Sequence, residues 1–196
     1  MFNFTKYYLF MLTINFHPFK NLETERLLLR RLNKDDVNEV LELRGNPETM
    51  KFIPRPLAKT KEDAMVHIDM IEDKIVNNVG INWAITMKGN PKMLGIIGHY
   101  RISAENHRCE MGYMILPQYQ GKGIVSEAID VVLEYGFNDL QMHSIEAIID
   151  PDNTASERVL QKNGFVKEAH ILENELYDGK FWDTVIYSIL KRNFRK

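Results

Sequence analysis

Cysteine is nearly absent: Cys109 is the only one among 196 residues. That excludes an internal disulfide, and no Cys/His cluster has the spacing of a zinc site. No metal is expected, and a reducing, cytoplasmic setting is the default expectation. An excess of charge of one sign is also missing. The formal net charge is −2, with both signs scattered along the chain. Neither a nucleic-acid-binding stripe nor a polybasic membrane anchor is therefore expected. The sequence has no apolar run of the roughly 20 residues that a membrane helix needs. Its aromatic opening, from Phe2 through Tyr7, Tyr8 and Phe10 to Leu12, is shorter than that and is interrupted by Lys6. This opening also lacks the basic start and small-residue cleavage site of a secretory signal, and Met11 stands as an alternative start. Repeats, low-complexity stretches and long linkers are absent.

Hydrophobic residues make up 44% of the chain, which is enough for a core of one ordinary domain. The pattern alternates between strand and helix. Glu25 to Leu32 reads as a first strand. Asn33 with Asp36 forms a capping box for a helix whose Val37, Val40, Leu41 and Leu43 lie near one face. Pro47, Pro54 and Pro56 make 46–58 a loop. Thr60 caps a second helix, with Glu62 and Asp63 in its first turn and Met65, Ile68, Ile71 and Ile75 at helical spacing. Ile81 to Met87, Met93 to Ser103 and Cys109 to Leu116 read as a three-stranded antiparallel meander, with a turn at Gly89-Asn90-Pro91. A helix from about Gly123 places Ile124, Ala128, Val131, Val132 and Tyr135 on one face. Ser144 to Ile149 is a strand, Thr154 to Asn163 a short helix stopped by Gly164. Phe165 to Leu176 and Phe181 to Leu190 form a closing hairpin through Asp178-Gly179.

The segment Gln120-Gly121-Lys122-Gly123-Ile124-Val125 joins a strand to a helix. Its glycines let the backbone approach a ligand without a Cβ penalty. The helix start offers unpaired N–H groups and a partial positive charge, a combination suited to a diphosphate. The plain alternative is a glycine turn before a helix. A Walker loop is excluded because no Gly-Lys-Ser/Thr follows at the required spacing, and a Rossmann fingerprint because Gly-x-Gly-x-x-Gly is absent.

Cys109-Glu110-Met111-Gly112-Tyr113 leads into that segment, and Asn153-Thr154-Ala155-Ser156 and Asn163-Gly164-Phe165 follow it. With Leu22-Glu23-Thr24-Glu25-Arg26-Leu27-Leu28-Leu29-Arg30 at the start, Tyr135-Gly136-Phe137 after the helix, and Gly179, Asp183 and Tyr187-Ser188 near the end, the chain resembles the GNAT acetyltransferase superfamily. Within it, the resemblance is to the branch that acetylates N-termini of ribosomal proteins. It extends from Leu22 nearly to the end. It implies an α+β fold: a central mixed, mostly antiparallel twisted sheet of about seven strands, flanked by about four helices and splayed at the cofactor site. Residues 1–21 would form an N-terminal extension and 22–196 a single domain, in which acetyl-CoA is the cofactor.

The family motif Gln/Arg-x-x-Gly-x-Gly/Ala is matched by Gln120 and Gly123, while Val125 departs from it. The resemblance assigns the diphosphate to the backbone of Gln120, Gly121, Lys122, Gly123, Ile124 and Val125. It assigns the pantetheine arm to Met114, Ile115, Leu116 and Asn153. A main-chain N–H near Met114 to Leu116 would also stabilise the oxyanion of a tetrahedral intermediate. Lys122, Arg158 and Lys162 are candidates for the 3′-phosphate. Amide formation from a thioester needs a base for the incoming ammonium and an acid for the departing thiolate. The Tyr that many members carry seven residues after the Asn is Leu160 here. The ribosomal-protein branch uses a Ser three residues after the Asn, which is Ser156. Its base maps to Glu175, with Glu110 as rival. Asn153 can equally be a plain helix cap and Ser156 a polar first-turn residue. Cys109, near His107, is set aside as a nucleophile. Glu48, Phe52, Ile53, Tyr177 and Trp182 are expected around the acceptor. That acceptor would be an N-terminal α-amine of a ribosomal protein or, alternatively, a small-molecule amine such as an antibiotic or polyamine. A non-catalytic acyl-CoA-binding domain is a further alternative, and a homo-oligomer is open.

Overall fold

The computed structural model describes residues 11–194, so the opening from Phe2 to Phe10 lies outside the described residues. One sheet of eight strands runs through the molecule in the order β1-β2-β3-β4-β5-β6-β8-β7. The strands are β1 (Leu22–Glu23), β2 (Leu27–Arg31), β3 (Ile81–Met87), β4 (Met93–Ser103), β5 (Arg108–Ile115), β6 (Ser144–Ile149), β7 (Val166–Tyr177) and β8 (Lys180–Leu190). The eighth strand beyond the expected seven is the two-residue β1. Five α-helices flank the sheet: α1 (Val37–Gly45), α2 (Pro47–Met50), α3 (Lys61–Val76), α4 (Ile124–Glu134) and α5 (Thr154–Lys162). The extra helix is α2, inside the segment read as loop. Asn46 caps it by accepting from the N–H groups of Glu48 and Thr49, and Pro47 occupies its first position, where no N–H is needed.

Local chemistry explains most of the other boundaries. Asn33/Asp36 and Thr60/Asp63 both form complete capping boxes. β3 is buried at Ile81 and continuously from Trp83 to Thr86, as suits a central strand covered on both faces. Trp83 is fully buried, and its indole N–H donates to the Lys20 carbonyl at 2.8 Å. With Phe16, also buried, this draws residues 16–20 onto the core. On α4 the buried face comprises Ile124, Ala128, Ile129, Val132 and Leu133. Val131, expected on that face, is only half-buried, because the helix is rotated toward Ile129 and Leu133.

Every neighbouring strand pair is antiparallel except β5 and β6. These two pair in parallel only at Arg108, Cys109 and Glu110, opposite Ser144, Ile145 and Glu146. From Met111 to Ile115, β5 stays paired with β4 alone. The sheet therefore opens beyond Glu110, leaving one edge of β5 bare. Among the described residues no helix is long and apolar enough to cross a membrane.

Candidate active site

A continuous cleft of about 980 Å³ fills the opening between β5 and β6. One half is lined by β5, the turn into α4 and the start of α5. The other is lined by α2, the segment after it, and β7 and β8.

In the first half, Gly121 and Gly123 take left-handed φ values of 70° and 76°. A Cβ at Gly121 would meet nothing within 4 Å, so the backbone there faces open space. The Gln120 N–H is already given to the Pro117 carbonyl at 3.2 Å. Among the described residues, the N–H groups of Gly121, Lys122 and Gly123 have no such partner, and the first-turn N–H groups of α4 have none within the helix. This uninterrupted run of donors at a helix start fits a diphosphate. Glu127 braces the turn from behind. It accepts from the Thr24 hydroxyl, from the Arg26 N–H at 3.0 Å and from the Arg26 Nε at 2.7 Å. Gln120, Ile124 and Val125 line the cleft with the two glycines, and Val125 does not close it. Lys122 does not line it; its ammonium sits 5.4 Å from the centre of the Tyr119 ring. Of the three bases considered for a 3′-phosphate, Lys162 alone lines the cleft.

Strand alternation corrects the expectation for the pantetheine arm. Leu116 donates its N–H to the Leu94 carbonyl at 2.9 Å, and its side chain is fully buried. Its backbone therefore faces β4 and cannot serve the cleft. Alternation turns the Met114 main chain the same way, although its side chain lines the cleft. The main-chain groups aimed at the bare edge belong to Tyr113 and Ile115.

At the start of α5, the Asn153 side-chain oxygen accepts from the Ser156 N–H at 3.1 Å, so the cap is real; Asn153 also lines the cleft, and its amide NH2 has no hydrogen bond among the described residues. Ser156 lines the same cleft, and the Tyr113 hydroxyl reaches its carbonyl at 3.4 Å. Leu160, at the position of the missing tyrosine, is fully buried.

Glu110 and Glu175 also line the cleft. Glu110 is the last β5 residue paired with β6 and is 4% exposed. Both its oxygens are held, by the Tyr100 hydroxyl at 2.7 Å and the Arg101 guanidinium at 2.8 Å. Burial raises its pKa above the ordinary carboxylate value, outweighing those two partners. Glu175 pairs through Oε1 with Arg55 at 2.9 Å. Two β-bulges arrange these contacts. One, between Tyr100 and Ser103, holds Arg101 at φ 47°; the other, between Ile171 and Glu175, holds Glu173 at φ 50°. Bulges re-aim side chains where regular pleating would not. Glu48, Phe52, Ile53 and Trp182 line the acceptor half, whereas Tyr177 does not. Arg44, Arg55, Tyr100, Arg101 and Tyr113 are cleft residues that the sequence reading did not single out. The setting of Cys109 argues against a nucleophile: its sulfur is buried 3.5 Å from Nδ1 of His99, and burial pushes its thiol up to about 12.

A mixed sheet that parts beside a glycine-turned helix start, with acid–base side chains on both walls, defines an acyl-CoA-dependent transferase. The chain belongs to the acetyltransferase (GNAT) domain family, whose model matches residues 26–166. YoaA of Bacillus subtilis (strain 168), an uncharacterized N-acetyltransferase, is 32% identical over 173 residues, 88% of this chain and 98% of that protein. Spermidine N(1)-acetyltransferase of Escherichia coli (strain K12) is 22% identical over 166 residues, 85% of this chain and 87% of that protein. Among solved structures, RimL, a ribosomal L7/L12 α-N-protein acetyltransferase in complex with coenzyme A, superposes with a TM-score of 0.79. It is 19% identical and covers 87% of this chain and 98% of its own. The chain is thus an N-acetyltransferase that uses acetyl-CoA as its acyl donor.

Proposed function

We propose that the enzyme acetylates the N-terminal α-amine of a protein, of the ribosomal-protein type, in the cytoplasm, with Ser156 as the acid and Glu175 as the base. Bound acetyl-CoA supplies the thioester carbonyl. The Gly121–Val125 backbone holds the diphosphate, and the Tyr113 and Ile115 main-chain groups and the Asn153 amide hold the arm. Glu175 takes the ammonium proton, so that the amine lone pair can form the new C–N bond. As the C–S bond breaks, Ser156 passes its hydroxyl proton to the sulfur and takes the surplus proton from the nitrogen of the new C–N bond, so that a neutral amide and the CoA thiol leave and the hydroxyl is restored.

One observation carries this reading: Ser156, Glu175 and the bare edge of β5 line one cleft. Among the described residues Glu175 keeps one oxygen without a hydrogen bond, whereas both oxygens of Glu110 are occupied. Glu110 is the second candidate because it lies where β5 and β6 part and its pKa is raised. The RimL structure and the resemblance of Ser156 and Glu175 to the ribosomal-protein branch favour a peptide amine. The spermidine acetyltransferase relative keeps a polyamine as the second acceptor class.

The test is release of CoA thiol from acetyl-CoA over a panel of N-terminal peptides and small amines, with product masses. Ser156→Ala should lower kcat by about 100-fold or more while changing CoA affinity little. Glu175→Gln should lose most activity at low pH, because a base is needed most where the amine is protonated. If instead Glu110→Gln removes the acidic limb of the profile, and that limb lies above the ordinary carboxylate range, the base is Glu110.

A further inference from the structure

The acceptor half of the cleft holds a cation that the proposed chemistry does not use. Arg44, in the last turn of α1, lines the cleft and is more than half buried. Arg55 and Arg101 each have a carboxylate, Glu175 and Glu110. Arg44 has none among the described residues; its Nη1 reaches the Met50 sulfur at 3.4 Å, a weak acceptor. Burial, then the charge of Arg55, pushes the Arg44 guanidinium down from its ordinary value. His67 lies in the same field. Burial, then Arg44 and Lys74, pushes it to about 4, so it is neutral and adds no second positive charge beside Arg44. Other charged groups around this end are Lys51, which lies over the Phe52 ring at 5.1 Å, Glu48, which is exposed, and Asp183, whose carboxylate is taken by His170 and the Glu173 N–H; Tyr177 also acts on Arg44. On the same cleft, Thr49 Oγ1 and Trp182 Nε1 are buried without a hydrogen-bond partner among the described residues, and an indole N–H can only donate. Buried charges are normally paired. A half-buried guanidinium without an acid, in a wall with unspent donors, is matched by an anion brought by the ligand.

We propose that Arg44 receives a carboxylate that the acceptor carries close to its amine, namely an acidic side chain next to a peptide N-terminus. The assignment rests on the N-terminal acetyltransferase reading and names the substrate class within it. The planar fork of Arg suits a carboxylate bidentately. A polyamine would place a second positive charge against Arg44 and Arg55, and a basic N-terminus would do the same. Arg44 therefore selects acidic N-termini over both.

Two peptides with the same first residue, followed by Asp-Glu in one and Lys-Lys in the other, test this with spermidine as a third acceptor. The wild-type enzyme should favour the acidic peptide in kcat/KM by about tenfold or more, the effect of one charge-assisted hydrogen bond. Arg44→Gln should bring the ratio to within about twofold, Arg44→Glu should reverse it, and Arg44→Lys should restore part of it. Calorimetric affinity for CoA confirms that each variant is folded. Equal wild-type rates on the two peptides, or an unchanged ratio in a folded Arg44→Gln variant, overturn the role of Arg44 and leave the peptide reading standing. Turnover of spermidine with no peptide acetylated overturns both.

Discussion

His99 is buried completely in β4, its Nε2 is 2.9 Å from the Val132 carbonyl, and Nδ1 faces the Cys109 sulfur. Burial holds its pKa near 4, against about 6.5 in an unfolded chain. Between those values the unfolded chain binds a proton that the native state does not. The resulting stability is full above about pH 6.5 and is lost as pH falls toward 4, by on the order of 3 kcal/mol. His67, whose pKa is also depressed, acts in the same direction. Urea unfolding across this range should show the midpoint falling with pH, and His99→Gln should flatten that fall. A slope unchanged in a folded His99→Gln variant would show that the proton is taken up elsewhere.

The elements were legible where local chemistry sets them. The Asn33/Asp36 capping box, the Thr60 cap, the Ile81–Met87 strand, the Asp178-Gly179 turn and the helix stop at Gly164 are written in adjacent residues. The glycine turn before α4 was legible for the same reason, since two glycines before an apolar helix allow few conformations. The bulges at Arg101 and Glu173 were not, because nothing in a β-branched or aromatic pattern marks one or two extra residues in a ladder. The parting of β5 from β6 depends on a parallel register between strands some thirty residues apart. Strand alternation at Leu116 became readable only once the β4 partner was known. Asn153 separates the two roles that its sequence left open. Asn153→Asp keeps the cap to Ser156 but removes the amide donor, whereas Asn153→Ala removes both. Stability measured by denaturant should fall by about 1 kcal/mol for Ala and little for Asp. CoA affinity should fall in both. If Asp binds CoA as tightly as the native chain, Asn153 is a cap and nothing more.

At the scale of the molecule, the cleft exists only when distant parts of the chain are assembled. Its walls come from the segment after α1, from β5, from the starts of α4 and α5, and from the β7–β8 hairpin. An unfolded chain offers coenzyme A no comparable site, so binding draws on the whole folding equilibrium. At a ligand concentration 100 times Kd, acetyl-CoA should add about 2.7 kcal/mol to stability. For a chain of this size that corresponds to a rise in Tm of about 5–10 °C. If the proposed grip on the diphosphate is right, the rise is carried mainly by the backbone at Gly121–Val125, the run of donors assigned to it. Gly123→Ala tests this: its φ of 76° strains any L side chain, and the added Cβ would lie 3.6 Å from the Arg26 guanidinium. The strain costs about 1–2 kcal/mol without ligand, which lowers the starting Tm. The ligand-induced rise should also shrink, because the donors at the turn move out of line. A variant whose starting Tm drops while the full acetyl-CoA shift survives would place the grip on the coenzyme elsewhere than this turn.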